Sequence, residues 1–453
     1  MTTEKMQVIL DLVEEYIKEN VINNEWKKGE DWVTYSGPNL SEKEFSAAVK
    51  SLLGGWLILG EEGRNFELEF AKHMGKKHGC VTNSGSSANL LMMSAFTSNQ
   101  KSVSKYKIPK GSKIITPVVC FPTTINPIIQ CGFEPLFVDV DLPSANLNLD
   151  QVEELLKNDK DREIRAITFA HVLGNPPDMD RLMKLVKEYN LIFLEDTCDA
   201  LGSTYDGKKL GSFGHVSTCS FFPAHHMTMG EGGFVATSDP RLRRVIASFR
   251  DWGRACYCNE QKPGCVVEGT ACGDRFQEWL TDGEERITYD HRYVFNEIGY
   301  NIKPLELQAA IGLEQINKLP EMDQARRDNF EKLMDIFRPY EKYLMLPEAT
   351  PNSDPCWFGY LIGIREDAGF KKRDLVSYLE MNKIQTRSYF TGNVLYHPGY
   401  RHLVQDGENL VKKYPNANFI TRNAFFLGTY KGLTDEKLEY IKEIIDQFFE
   451  EEV

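Results

Sequence analysis

Three groups of residues in this chain could do chemistry. The first lies in Cys219-Ser-Phe-Phe-Pro-Ala-His-His-Met-Thr-Met-Gly-Glu-Gly-Gly-Phe234, where two histidines precede a Gly-Glu-Gly-Gly run. An imidazole moves protons near neutral pH, although a histidine pair also reads as ordinary polar turn residues. The second is the acid-rich end of an apolar run, Glu195-Asp-Thr-Cys-Asp199. The third is a cysteine set. Cys256, Cys258, Cys265 and Cys272 crowd into one glycine-containing loop, and Cys198 stands upstream. Two sulfurs in a Cys-x-Cys pair converge on a metal, which suits thiolate capture of iron, with zinc held by four thiolates as the rival.

The elements that must position these residues are legible as alternating short apolar runs and helical patterns. Lys113-Ile-Ile-Thr-Pro, Pro135-Leu-Phe-Val-Asp-Val, Ala166-Ile-Thr-Phe-Ala and Leu191-Ile-Phe-Leu-Glu-Asp read as strands, with helices such as 179–189 between them. Such alternation predicts an α/β fold with a mostly parallel sheet covered on both faces, and ligands at the carboxyl ends of the strands. Thr82-Asn-Ser-Gly-Ser-Ser-Ala-Asn89 opens a helix with small residues. Free backbone N–H groups and the helix dipole favour an anion there, although the same sequence is a common N-cap. Residues 2–29 predict one helix, residues 305–329 another, and Trp357–Ile364 a strand. A last helix follows Thr434, with apolar residues at 438, 441, 444, 445, 448 and 449.

The chain has 453 residues, 42% of them hydrophobic and 26% charged, which is ordinary for a globular protein with a large core. Its net charge of −13, with no basic block, argues against nucleic acid as a partner and against anionic membranes. No apolar run approaches the roughly 18 residues of a membrane span, and the charged N-terminus has no secretory h-region. The expectation is a cytoplasmic protein whose ten cysteines bind metal or do redox work rather than form disulfides.

These motifs, in this order, resemble the DegT/DnrJ/EryC1/StrS sugar aminotransferase family. The resemblance implies an aspartate-aminotransferase-type (PLP fold type I) large domain plus a smaller α+β C-terminal domain. It implies an N-terminal helical extension over 1–40, a large cofactor-binding domain over 41–315 with a cysteine-rich loop at 254–273, and a small domain over 316–453. Pyridoxal phosphate (PLP) is held covalently by a lysine in such proteins, and counting back from Gly230 puts His225 at that position. The cofactor is then expected noncovalently, as pyridoxamine phosphate (PMP), with His225 as the catalytic proton carrier. Gly85, Ser86 and Ser220 are implied for its phosphate, Phe121 for stacking on its ring, and Asp196 for its pyridine nitrogen. Asp199 stands where the family's glutamine meets the ring hydroxyl. Asn301, in Gly299-Tyr-Asn-Ile-Lys-Pro, is implied to reach the phosphate of a neighbouring subunit, hence a homodimer with shared sites. The substrate candidates are Trp56, in a Gly-Trp segment that reads equally as core, and Arg387, in the run Thr386–Leu395 that resembles the substrate loop.

The cysteine set resembles the 2Fe–2S site of an unusual dehydrase branch of the superfamily. It implies Cys198, Cys256, Cys258 and Cys272 as ligands, with Cys265 as a spare. The implied activity is C3 dehydration and deoxygenation of a nucleotide-linked 4-keto-6-deoxyhexose, CDP-4-keto-6-deoxy-D-glucose, on a route to 3,6-dideoxyhexoses of lipopolysaccharide O-antigen. The chain shows no dinucleotide turn, so a separate NADH-dependent flavin or iron–sulfur reductase is implied as partner. The rival readings are a cluster-free PMP-dependent 3-dehydratase of the GDP-4-keto-6-deoxymannose type and a catalytically dead sugar-binding fold.

Overall fold

The computed structural model describes residues 3–22, 25–256 and 275–451. Its central sheet has seven strands: β1 (His78–Thr82), β2 (Lys113–Pro117), β3 (Glu134–Val138), β4 (Ile164–Ala170), β5 (Ile192–Asp196), β6 (Val216–Ser220) and β7 (Gly233–Thr237). Their order is β1-β7-β6-β5-β4-β2-β3, with β7 alone antiparallel to its neighbours. The sheet is mostly parallel, as its near-continuous apolar runs predict, because a sheet buried on both faces has no polar side to alternate toward. Helices α1 (Thr3–Ile17), α2 (Glu42–Leu53), α3 (Glu61–His73), α4 (Gly85–Ser94), α5 (Pro122–Gln130), α6 (Leu149–Asn158), α7 (Met179–Glu188) and α8 (Pro240–Arg250) belong to this half of the chain.

A hairpin follows, β8 (Phe276–Asp282) and β9 (Glu285–Asp290), then helices α9 (Glu306–Ile316) and α10 (Leu319–Phe337). A second sheet is antiparallel throughout. It contains β10 (Leu344–Met345), β11 (Gly359–Ile364), β12 (Arg387–Ser388) and β13 (Ala424–Gly428) in the order β10-β11-β13-β12. Its core joins Leu333 and Phe337 of α10, Leu375 and Leu379 of α11 (Lys372–Met381), and Leu438, Ile441, Ile445 and Phe448 of α12 (Asp435–Glu451). Helical spacing of apolar residues after Thr434 therefore gives the buried stripe it predicts, with Phe449 partly buried at its edge.

Two helices differ from their sequence patterns. The helix predicted over 2–29 is α-helical only to Ile17 and closes as a π-turn at Lys18–Ile22. Asn20 donates its side-chain amide to the Tyr16 carbonyl at 2.9 Å, a local bond that competes with the helical ladder. The helix predicted over 305–329 is two helices, α9 and α10, separated at Asn317–Lys318. Pro320 lies in the first turn of α10. Without an N–H it cannot continue the α9 ladder, whereas it is suited to open a new helix.

Candidate active site

Strand order decides where the chemistry collects. Asp196 ends β5 between Ala170 of β4 and Thr218 of β6, and Ser220 ends β6 opposite Gly233 of β7. Thr82 of β1 is also opposite Gly233, so the turn after β1 lies beside the end of β6. That approach requires glycine: a Cβ on Gly233 would lie 2.2 Å from the Ser84 carbonyl oxygen. The second glycine of the Gly-Gly motif is thus explained by backbone crowding.

Around these strand ends is a cavity of about 710 Å³, lined among others by Ser84, Gly85, Ser86, Phe121, Asp196, Cys198, Asp199, Ser220, His225 and Arg387. Asp196 is buried at its inner end. Its Oδ2 accepts from Asn89 Nδ2 at 2.7 Å and from Thr124 Oγ1 at 2.8 Å, and its Oδ1 accepts from the Cys198 amide at 3.1 Å. Asn89 is itself held by Thr218, whose hydroxyl donates to Asn89 Oδ1 at 2.6 Å. Donors of this kind hold a buried carboxylate in one orientation.

At another wall, Ser84 caps α4, its Oγ accepting from the Ser87 amide at 3.1 Å. Gly85 begins the helix directly against Ser220. A Cβ there would come within 2.5 Å of Ser220 Cβ and 2.7 Å of its Oγ. The result is a cradle of backbone N–H groups and hydroxyls at a helix N-terminus, suited to a phosphate. Phe121, 51% exposed, presents its ring to the cavity edge-on to Phe390, with centroids 6.1 Å apart.

The two adjacent histidines part ways. His225 lines the cavity, its ring 5.4 Å from that of Phe358. His226 turns into the protein, where Nε2 meets the Cys356 carbonyl at 2.9 Å. Burial pushes the His225 imidazole down to about 4, so it is a free base at neutral pH. Burial and the Asp196 charge push Asp199 up to about 8. His225 Nδ1 and Asp199 Oδ1 are 3.5 Å apart. With both groups neutral, that contact is not an ion pair.

The remaining candidates divide. Arg387 lines the cavity with its guanidinium 4.0 Å from the ring centroid of Tyr35. Trp56 and Asn301 do not line it. Trp56 folds its ring over Gly60, and Asn301 Oδ1 accepts from Lys303 Nζ at 2.8 Å. Of the cysteines, Cys198 is on the cavity wall and Cys256 is half-buried. Cys258, Cys265 and Cys272 lie outside the described residues. Among the described residues, no group of three or more His, Cys, Asp or Glu is arranged to hold a metal ion. Sequence reasoning missed Asn89 and Thr124. Asn89 had a signal, since it follows Gly85 by one helical turn and shares its face. Tyr35 and Phe358 come from distant segments and had none.

The residues fit a pyridoxal-type cofactor: a fixed carboxylate at one end, a phosphate cradle at the other, and an aromatic ring between. No lysine is among the described residues of the cavity lining. The fold and this site define a fold type I PLP protein. The chain belongs to the DegT/DnrJ/EryC1/StrS aminotransferase family, whose model matches residues 38–446. It is 39% identical to the lipopolysaccharide biosynthesis protein RfbH of Salmonella typhimurium over 97% of both chains. It is 42% identical to dTDP-4-dehydro-2,6-dideoxy-D-glucose 3-dehydratase of Saccharopolyspora spinosa, over 91% of this chain and 86% of that one. Among solved structures it is similar to the GDP-4-keto-6-deoxymannose-3-dehydratase ColD, in a histidine-to-asparagine mutant with bound GDP-perosamine. The TM-score is 0.76 at 28% identity, covering 92% of this chain and all of that one. The Escherichia coli GDP-4-keto-6-deoxy-D-mannose-3-dehydratase with bound hydrated PLP gives 0.76 at 29% identity, covering 91% and 99% of the two chains. No described helix is long and apolar enough to cross a membrane.

Proposed function

We propose that this chain is a PMP-dependent 3-dehydratase of nucleotide-linked 4-keto-6-deoxyhexoses, working in deoxysugar biosynthesis. The carrying observation is a cavity lining with a neutral histidine and no lysine among the described residues. When bound, PMP supplies an amine for the sugar's C4 ketone and a pyridine ring that takes up electrons. Asp196, fixed by Asn89 and Thr124, keeps the pyridine nitrogen protonated. Gly85, Ser86 and Ser220 hold the phosphate, Phe121 covers the ring, and Asp199, protonated at neutral pH, donates toward the ring hydroxyl. His225 would take a proton from the C4′ carbon and pass it to the departing C3 hydroxyl, which leaves as water; an imidazole of low basicity gives its proton up readily. Arg387, on the cavity wall, contacts the substrate; Trp56, off that wall, is the second substrate candidate.

Within this class we propose CDP-4-keto-6-deoxy-D-glucose as substrate and a 2Fe–2S cluster held by Cys198, Cys256, Cys258 and Cys272, which would supply electrons one at a time. The same proposal includes a homodimer in which Asn301 completes the neighbouring site, and an NADH-dependent reductase as electron source. The relatives named for dTDP- and GDP-linked sugars support the dehydratase class; the competing version is a cluster-free enzyme of the GDP-4-keto-6-deoxymannose type. An absorption spectrum of anaerobically purified protein separates the two versions. A 2Fe–2S centre absorbs broadly in the visible, whereas zinc does not and PMP absorbs only in the near ultraviolet. A colourless, fully active protein rules the cluster out.

A further inference from the structure

Behind His225 lies a charge that the proposed reaction does not use. Arg326, in the middle of α10, is 3% exposed. A guanidinium stays charged in a protein, so burying one is costly without partners. Its hydrogen-bond partners are all main-chain carbonyls: His225 at 3.2 Å from Nη2, and Trp357 at 3.4 Å and Phe358 at 3.5 Å from Nη1. The Asp323 carboxylate favours its charge through space. A hydrophobic residue would fill this place on α10 at lower cost if packing alone were needed. The fork instead bridges two segments far apart in sequence, the turn that carries the imidazole and the entry to β11.

The same two segments are joined twice more. His226 Nε2 meets the Cys356 carbonyl at 2.9 Å. The ring of Phe358 packs on both histidines, 5.4 Å from His225 and 6.3 Å from His226. His225 Nδ1 has no hydrogen-bond partner of its own. The polar groups at the ring are the Asp199 carboxyl, 3.5 Å from Nδ1, and the Cys198 main chain, and beyond these its place depends on the backbone it hangs from. We infer that Arg326 is a positioning residue for His225: its guanidinium ties the histidine turn to the Trp357–Phe358 segment and so fixes where the imidazole meets the cavity. The inference rests on the reading that His225 moves the C4′ proton.

The test follows solvent deuterium entering C4′ of PMP in the holoenzyme with a nucleotide-linked 4-keto-6-deoxyhexose present. Arg326→Met is expected to slow exchange about 100-fold while PMP affinity and half-saturating sugar concentration stay within about threefold, the signature of a misplaced group rather than a lost binding site. Arg326→Lys, which keeps the charge and one prong, should recover about tenfold of that loss. The control is Arg327→Met. Arg327 contacts the Gly202 carbonyl and Asp354 instead, so its loss should lower the melting temperature and leave exchange unchanged. Exchange in Arg326→Met within about threefold of wild type overturns the inference. So does a parallel loss of PMP affinity that Arg326→Lys does not repair. If Arg326→Met does not fold, Arg326→Lys decides: exchange slower than in Arg327→Met supports the clamp, and equal rates overturn it. His225→Asn tests the underlying reading separately. Undiminished exchange there removes His225 as the proton carrier, whatever Arg326 does.

Discussion

Replacing Gly85 with alanine isolates the phosphate cradle from the rest of the site. Gly85 is at the first position of α4 with ordinary helical backbone, so alanine brings no conformational strain. What it brings is overlap: the new methyl would sit 2.5 Å from Ser220 Cβ, 2.7 Å from Ser220 Oγ and 3.2 Å from its Cα. Cβ and Cα cannot rotate away, so α4 must shift off the end of β6. Overpacking of this kind costs about 1–3 kcal/mol. Charged to cofactor binding, that is a fall in PMP affinity of about 5- to 150-fold. PMP titration followed by calorimetry measures it directly. Turnover at saturating PMP should change far less than affinity, because Asp196 and His225 are untouched. Ser220→Gly in the same chain removes the struck Cβ. Because it also removes a hydroxyl assigned to the phosphate, the prediction is on the coupling: the double variant should lose about 1 kcal/mol less than the two single losses summed. If Gly85→Ala binds PMP within about twofold of wild type, the N-terminus of α4 does not hold the cofactor phosphate.

Restoring an amine with His225→Lys should allow covalent capture of added PLP, seen as a borohydride-reducible adduct, and abolish dehydration; full dehydratase activity in that variant removes the proposed role of His225. If Asn301 completes a neighbouring site, dimers mixed from Asn301→Ala and His225→Ala chains should regain roughly a quarter of the active sites, and no rescue places both residues in one subunit's site. Burial holds His73 down to about 4 from its ordinary 6.5, with Lys209 adding to the effect. The unfolded chain therefore binds this proton first, and stability contributed above pH 6.5 is lost as pH falls from 6.5 toward 4. Over that window wild type should lose up to about 3 kcal/mol more than His73→Phe, read from urea midpoints at successive pH values. Cys258→Ser should bleach any visible absorption while sparing C4′ exchange, and Cys265→Ser should leave the colour; bleaching by Cys265→Ser but not by Cys272→Ser exchanges the fourth ligand from Cys272 to Cys265.

Much of this site is readable from sequence because its residues sit at strand ends. A short apolar run ending in an acid, as at Asp196, fixes both the strand and the place where its last side chain emerges. The same holds for the glycine-and-serine turn into α4, where small residues are needed for close approach to β7. Other features are not local. The count back from Gly230 picks His225, which does line the cavity, but gives no physical cause; the pair His225-His226 by itself does not say which imidazole enters. That is settled by Phe358 and Cys356, which arrive from the second sheet. Asn89 and Thr124 depend on helices packing over Asp196, and Arg326 on a helix that reads as merely amphipathic. The two helix misreadings have local causes, Asn20 and Pro320, that apolar periodicity overlooks.

In the proposed reaction the sugar loses its C3 oxygen and does not gain the cofactor's nitrogen. The direct measurement is mass spectrometry of the sugar nucleotide after incubation with the protein, stoichiometric PMP and dithionite as electron source, using the CDP-, dTDP- and GDP-linked 4-keto-6-deoxyhexoses in turn. A product missing the C3 hydroxyl from at least one of them, with no amino sugar formed, is the predicted result. A 4-amino-4,6-dideoxy sugar, accompanied by PLP and with its C3 hydroxyl intact, would instead make the protein an aminotransferase and refute the dehydratase.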